Sequence, residues 1–384
     1  MTGPNPFRFS GPLAPEEMID RDPEADSLLE LTTGRHSFRL VGPRRYGKTT
    51  LLRRVLDASE GQGMATVLVD LQDVLSVAEI VVRIERAYNR RLKGPVRRQV
   101  DALLKSWNIG VSLGAGGFTA TMQRSPSTDA EAVLLRILEL PAELFDAKGI
   151  TSLIVFDEIQ DVLAVPGADG KIRSVIQHQG DAATYAFAGS APGVMEQLFA
   201  DPKRPLLDQA VPKGLAPLPL DEASAYVTSR FEATGRNVAR ALDPMIEFAR
   251  GHPQRTMMLA HYLWEVTPPG GSASEESWLE ARDGALRDSA GLMRAIWTAL
   301  PANERRVARA LAVLDSPIHA AESAAAVGIK RSSITRAVDG LRDNADVIVD
   351  PQGRLRITDP LFEHWLAEQG LTPATGADAE PLDA

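Results

Sequence analysis

Apolar positions along this chain switch between two spacings, and the switches predict strands that lead into helices. Residues 37–41 form a short apolar run that stops at a glycine-rich turn, and Leu51, Leu52 and Val55 then recur at helical spacing. A second strand is predicted over 65–71, followed by a helical pattern over 77–92, with further strands over 152–156 and 184–188. Such alternation predicts an α/β domain whose parallel sheet is covered by helices on both faces. Between the second and third strands, Ile109, Val111 and Leu113 alternate with small residues around central glycines, predicting a β-hairpin inserted at about 106–123.

Beyond Pro217 and Pro219 the pattern turns helical. Asp221 is the expected N-cap of a helix over 222–234, a further helix is expected over 244–249, and the Pro, Gly and Ser of 268–276 mark a loop. From about Asn303 the order is helix, helix, turn at Gly328, helix over 332–344, then two short strands around 351–353, which is the order of a winged helix. The expected domains are therefore a core over 1–218, a helical lid over 219–290 and a winged-helix domain over 291–370, with a disordered tail over 371–384.

Composition narrows the function classes. At 384 residues the chain exceeds what one core organises, and 44% hydrophobic with 24% charged residues is ordinary for a globular protein. Apolar runs fall short of a membrane span, and the proline-rich start, with Pro4, Pro6, Pro12 and Pro15, lacks the basic and apolar blocks of a signal peptide, so the expectation is cytoplasmic with no membrane partner. The chain has no cysteine, which removes disulfides and thiolate chemistry, and its six histidines lack metal-ligand spacing. A net charge of −9 opposes a surface that grips nucleic acid throughout. Arg90, Arg91, Lys93, Arg97 and Arg98 form one local basic run, read either as a solvated helix end or as a basic face.

The candidate chemistry starts where the first strand ends. Gly42-Pro43-Arg44-Arg45-Tyr46-Gly47-Lys48-Thr49 fits the phosphate-loop pattern with a strand before it and a helix, opening at Thr50, after it. Backbone N–H groups of such a loop and the positive end of the helix cradle phosphates. Lys48 adds a mobile charge, and Thr49 a hydroxyl suited to Mg²⁺. The strand ending in Phe156-Asp157-Glu158 supplies two acids of the Walker B kind. There Asp157 would orient Mg²⁺ and Glu158 would polarise the attacking water; acidic capping of the next helix is the plainer alternative. The expected ligands are ATP or ADP with Mg²⁺.

With both motifs in place, the chain resembles the archaeal-type ATPases, P-loop proteins related to the AAA+ and STAND ATPases. The likeness spans most of the chain. It is carried by Asn5-Pro6-Phe7, Ile19-Asp20-Arg21, the phosphate loop, Phe156-Asp157-Glu158-Ile159-Gln160, Phe187-Ala188-Gly189-Ser190, Gly251-His252-Pro253, and Thr358-Asp359-Pro360-Leu361-Phe362 with Trp365. The resemblance implies that Ser190 acts as a sensor 1 residue, where a polar strand terminus is the alternative. It implies that Gly251-His252-Pro253 is a lid motif at the nucleotide, that Arg255 stands in the position of a sensor 2 arginine, and that Ile19 and Arg21 border the adenine. A solvent-facing arginine is the alternative for Arg255. One departure concerns the arginine that relatives carry after the fourth-strand helix. Here that stretch reads Leu206-Leu207-Asp208-Gln209. Gln209 cannot serve as an arginine finger and Arg204 is out of register, which implies slow hydrolysis and casts doubt on catalysis assisted by a second copy in a homo-oligomer.

Three outputs follow for the C-terminal domain: a nucleotide-driven switch, an initiator-like ATPase that grips duplex DNA, or a signalling scaffold that contacts a protein partner. Lys330, Arg331 and Arg336 on the candidate recognition helix and Arg354 and Arg356 on the wing favour DNA, while Asp339, Asp343, Asp346 and Asp350 dilute that charge.

Overall fold

Four of the strands that these runs form lie in one sheet, joined by a fifth. The computed structural model describes residues 4–11, 17–106, 111–114, 117–120, 126–314, 317–350 and 352–369. Its strands are β1 (Phe38–Val41), β2 (Ala65–Asp70), β3 (Val111–Gly114), β4 (Gly117–Ala120), β5 (Ser152–Asp157), β6 (Ala183–Gly189), β7 (Val211–Gly214), β8 (Val347–Val349) and β9 (Leu355–Ile357). The described residues divide into two compact units, one within 14–42 and 48–215, the other within 1–13, 43–47 and 216–384.

The first unit is built on a parallel sheet in the order β2-β5-β6-β1-β7. Along β5 the side chains alternate between two cores. Leu153 and Val155 pack with Phe38, Leu40 and the helix Lys48–Gly61, whereas Ile154 and Phe156 pack with Ile80, Ile84 and the helix Val77–Arg91. Every residue of β5 and β6 is buried, as helices on both faces require. Phe156, Tyr185 and Phe187 stack across these two strands at 6.0–6.3 Å between ring centroids. Four of the five strands match the expected runs to within a residue or two. β7 does not come from any apolar run: Val-Pro-Lys-Gly is mostly exposed and carries a proline, which only an edge strand tolerates. Pairing makes it a strand, through Val211 N–H to Ser37 O and Leu215 N–H to Val41 O, each at 2.9 Å. The inserted hairpin is present as β3 paired antiparallel with β4, and its turn lies outside the described residues.

The second unit is helical, with one small hairpin. Its helices Leu220–Ala233, Leu242–Ala249, Pro253–Val266 and Glu275–Ala299 occupy the expected lid region. Asp221 lies inside the first turn of its helix and Pro219 holds the cap position, so Asp221 complements the helix dipole and is not the N-cap. Ser274 does cap the long helix, in a reciprocal bond with Ser277. That helix runs continuously through residue 290, where a lid boundary was expected, because its buried stripe from Trp278 to Met293 is unbroken. The helices Ala302–Val313, Ala321–Val327 and Arg331–Asp343, the β8–β9 hairpin and a last helix, Pro360–Glu368, follow in the order read as a winged helix. Residues 5–9 belong to this unit and not to the sheet: the Phe7 and Phe231 rings lie 5.5 Å apart, and Asn5 Nδ2 donates to His261 O at 3.1 Å. The expected tail over 371–384 lies outside the described residues.

Candidate nucleotide site

The loop between β1 and the helix Lys48–Gly61 puts the helix N-terminus directly after Gly47. Lys48 is buried and its Nζ donates to Gly42 O at 2.8 Å, so the ammonium folds back over the loop that it would share with phosphate. Thr49 Oγ1 donates to Asp157 Oδ2 at 2.8 Å. Two oxygens this close, one from the loop helix and one from the end of β5, match the hard-oxygen preference of Mg²⁺, so the residues present fit that ion. Burial pushes the Asp157 carboxyl above its usual range, and the neighbouring charges of Glu158 and Asp70 add to the shift against the opposing pull of Thr49 and Lys48. Among the described residues no group of three or more His, Asp or Glu side chains forms a metal site of the chain's own.

Glu158 adopts a left-handed backbone (φ 52°) directly after β5. Its Oε2 accepts from Ser190 Oγ at 2.8 Å, Ser190 N at 3.2 Å and Gln160 Nε2 at 2.6 Å. Ser190 and Glu158, chosen from separate strands, are therefore brought together, and the serine holds the glutamate. Gln160 belongs to the same cluster and had no role assigned from sequence. Gly189 explains why the strand ends in Gly-Ser: a Cβ at Gly189 would lie 2.5 Å from Gln160 Oε1 and 2.4 Å from Met195 Sδ. A side chain there would displace the ends of Gln160 and Met195.

Ile19 and Arg21 are both buried just before the helix Asp22–Thr33, and Arg21 Nη1 pairs with Glu24 Oε1 at 2.6 Å. Thr50 is buried within the loop helix. Arg204 pairs with Asp169 at 3.4 Å, and Gln209 Nε2 donates to Leu207 O at 3.3 Å. Both side chains are thus engaged locally.

Pro43, Arg44, Arg45, Tyr46 and Gly47 share the second unit with the lid residues. Tyr46 is buried with its ring 5.0 Å from that of His252 and edge-on to it. Gly251 has φ 71°, and a Cβ there would sit 2.3 Å from Leu218 O, so the chain can turn only at glycine. His252 then caps the helix Pro253–Val266, its side chain accepting from Arg255 N–H, and Pro253 fills the first helical position. Burial drives the His252 imidazole down to about 4, with Arg255 and Arg45 adding to the effect and Asp359 opposing it.

Arg255 is 1% exposed, and it does not face solvent. Its Nε donates to Asp359 Oδ1 at 2.9 Å, its Nη2 pairs with Asp359 Oδ2, and its Nη1 reaches Met258 Sδ at 3.3 Å. Asp359 also caps the last helix through Leu361 and Phe362 N–H. Burial opposes ionisation of Asp359, but Arg255, His252 and the Phe362 N–H outweigh it and hold the carboxyl below its usual range. Asp359 was part of a family string without a role. An Asp-Pro helix start and the need of a buried arginine for a counter-charge are the signals that point to it.

No protein-family profile matches the chain, and no curated protein matches it. Solved structures do. A Walker-type ATPase of Pyrococcus abyssi is 17% identical with a TM-score of 0.70, covering 94% of this chain and 99% of that one. The ORC2 protein of Aeropyrum pernix in its ADPNP–ADP complexes is 16% identical with a TM-score of 0.61, covering 94% and 95%, and its ADP form is 14% identical with a TM-score of 0.56, covering 95% and 98%. At these identities the likeness is one of fold. The chain has the fold of the P-loop ATPases, a parallel sheet followed by a helical C-terminal region, over nearly its whole length. Among the described residues no helix is long and apolar enough to cross a membrane.

Proposed function

We propose that this chain binds Mg·ATP in the loop 42–49, hydrolyses it slowly, and passes the nucleotide state to its C-terminal helices. The contact that carries the reading is Thr49 Oγ1 to Asp157 Oδ2 at 2.8 Å, because it joins the loop and the β5 acid at the point where a phosphate-bound Mg²⁺ would be held. The ion would supply charge neutralisation on the terminal phosphates. Lys48 binds those phosphates, Glu158 orients the attacking water and takes its proton, and Ser190 and Gln160 hold Glu158 in place. With Arg204 and Gln209 engaged elsewhere, this chain offers no arginine finger at the expected position, in keeping with slow turnover.

The coupling runs through Tyr46, His252, Arg255 and Asp359. Tyr46 belongs to the phosphate loop and packs on His252, which caps the lid helix. Arg255 of that helix holds Asp359 at the start of the last helix. A nucleotide that shifts Tyr46 therefore acts on a buried ion pair without needing to touch it. The assignment of Arg255 narrows accordingly: it ties the lid to the C-terminal helix and is a positioning residue. Isothermal calorimetry tests the site. Lys48→Ala is expected to weaken Mg·ATP binding by about 10²-fold, the loss of one charge-assisted contact to phosphate, at unchanged melting temperature. Equal affinity in parent and variant would refute the assignment.

One observation favours a DNA-binding output. Arg331 and Arg336 are exposed on the helix Arg331–Asp343 and have no ion pair among the described residues. The wing offers less, since Arg354 and Arg356 both donate to Asp350, at 3.1 and 3.2 Å. Duplex contact would rest on the helix and not on the hairpin.

A further inference from the structure

Nucleotide binding leaves one large feature unexplained. A cavity of about 930 Å³ lies around β2 at the edge of the sheet, between the helices Lys48–Gly61 and Val77–Arg91, and Thr49, Asp157 and Glu158 are part of its lining. Five arginines also line it: Arg53, Arg83, Arg86, Arg90 and Arg91. Two of these are explained by the fold. Arg83 Nη1 donates to Asp70 O at 3.1 Å, and Arg91 Nε donates to Thr66 Oγ1 at 3.0 Å while pairing with Asp57 and Glu60, so both cover the open edge of β2.

Arg53, Arg86 and Arg90 are different. None has an ion pair or side-chain hydrogen bond among the described residues, which leaves their guanidinium groups open to a ligand from solvent. Arg86 and Arg90 stand one turn apart on a single helix face, and Arg53 stands one turn beyond Thr49 on the opposite wall. Leu56, Leu68 and Val82 contribute apolar lining, and Asp70 and Glu79 line the cavity as well, while Arg86 and Arg90 are exposed and Arg53 is half-buried. No aromatic side chain lines the cavity among the described residues, so nothing there would stack on a base. The basic run read from sequence also resolves here. Arg91 and Arg97 are paired with acids, and Arg90 turns to the cavity instead of joining a continuous basic face.

We infer that this cavity is a phosphate-oxyanion site, formed by Arg53, Arg86 and Arg90 and continuous with the acids that end β5. Its phosphate is either the free anion released beside Glu158 or the backbone of a nucleic-acid strand. Guanidinium forks suit both, and the two sources separate by experiment. The inference shares Thr49, Asp157 and Glu158 with the nucleotide reading, and either can fail alone.

The test follows ³¹P line broadening of inorganic phosphate added to the full chain carrying Lys48→Ala, which disables the phosphate loop. Phosphate binding is expected to persist in this variant. It should weaken at least about tenfold when Arg86→Ala and Arg90→Ala are added, and recover in part with Arg86→Lys and Arg90→Lys, which keep the charge. A labelled single-stranded oligonucleotide, followed by anisotropy, supplies the second arm. Displacement of phosphate by the strand assigns the site to a nucleic-acid backbone, and failure to displace it assigns the site to the free anion. If Lys48→Ala alone abolishes phosphate binding, or the arginine variants bind phosphate as the parent does, the anion belongs to the loop and the inference is overturned. A parent that fails to bind Mg·ATP while arginine-dependent phosphate binding persists would remove the nucleotide reading and leave this one standing.

Discussion

Two aspartates largely removed from solvent, one from each unit, meet opposite fates. Asp359 is ringed by donors: Arg255 grips both of its oxygens, and two backbone N–H groups at the start of the last helix complete the set. Its carboxyl is held low despite burial. Asp157 is the more fully buried of the two, yet its contacts are the Thr49 hydroxyl and the adjacent Glu158 N–H, with Glu158 and Asp70 as like-charged neighbours, and its carboxyl is pushed up. Burial is common to both, so the difference lies in the partners the chain provides. Asp359 is an acid the fold has already satisfied. Asp157 is one that the Thr49 hydroxyl and the Lys48 charge satisfy only in part.

The strongest way to sharpen the contrast is at the residue beside Asp157. Glu158→Gln keeps the volume and the bonds to Ser190 and Gln160 while removing the base. Turnover should fall by about 10²–10⁴-fold with Mg·ATP affinity retained. Unchanged turnover in a steady-state assay would make Glu158 a strand-end acid and nothing more.

Next comes the paired neutralisation of the two aspartates. Asp359→Asn leaves Arg255 buried without its counter-charge and should destabilise the protein by about 3–5 kcal/mol. Asp157→Asn should leave stability in denaturant within about 0.5 kcal/mol or raise it, because it relieves like-charge crowding, while it weakens Mg²⁺-dependent nucleotide binding. Equal destabilisation by the two variants would erase the distinction.

The second unit also holds two groups whose titrations oppose each other. The His252 imidazole is driven down to about 4 by burial, so between pH 6.5 and 4 the unfolded chain takes up a proton that the folded chain refuses, and stability falls as pH falls. Asp346, raised from 3.8 to about 6 by burial and by Glu304 against the opposing charge of Arg44, works the other way: the folded chain keeps a proton that the unfolded chain releases, and stability rises as pH falls through that range. Each is worth about 3 kcal/mol at most, by the usual conversion of a pKa shift. Melts from pH 7 to 4 should therefore be nearly flat for the parent, fall steeply toward acid for Asp346→Asn, and rise for His252→Asn. Parallel profiles for all three would show that neither group is buried as described.

Coupling between the regions should be the smallest effect, about 1–3 kcal/mol. Duplex-DNA affinity in the apo, ADP and non-hydrolysable ATP states reads it directly, with Arg331→Glu plus Arg336→Glu as the charge-reversal control. Binding that is lost on charge reversal but is the same in all three states keeps the DNA contact and removes the switch. If salt-sensitive binding is absent in every state, a protein-contact role for the C-terminal helices gains, with the Trp365 and Trp297 rings, 6.3 Å apart, as the place to look.

Local pattern determined much of this molecule. The phosphate loop, the β5 acids, four of the five sheet strands and the order of the C-terminal helices were readable because each depends on spacing within a dozen residues: apolar alternation, a glycine turn, a helix start. The same holds for Ser190 as a strand-end residue. What only the tertiary structure decided are the pairings between distant positions. Edge pairing with β1 makes a strand of Val211–Gly214, whose letters carry no strand signal. Ser190 meets Glu158 because β5 and β6 are neighbours in the sheet, 32 positions apart in the chain. Arg255 was open to reading as a phosphate sensor or a surface residue, and it became a buried partner of Asp359 across 104 positions. Periodicity reports which face of an element is buried. It does not report which charge waits on the other side, because that is set by how the elements pack and not by the order of letters within any one of them.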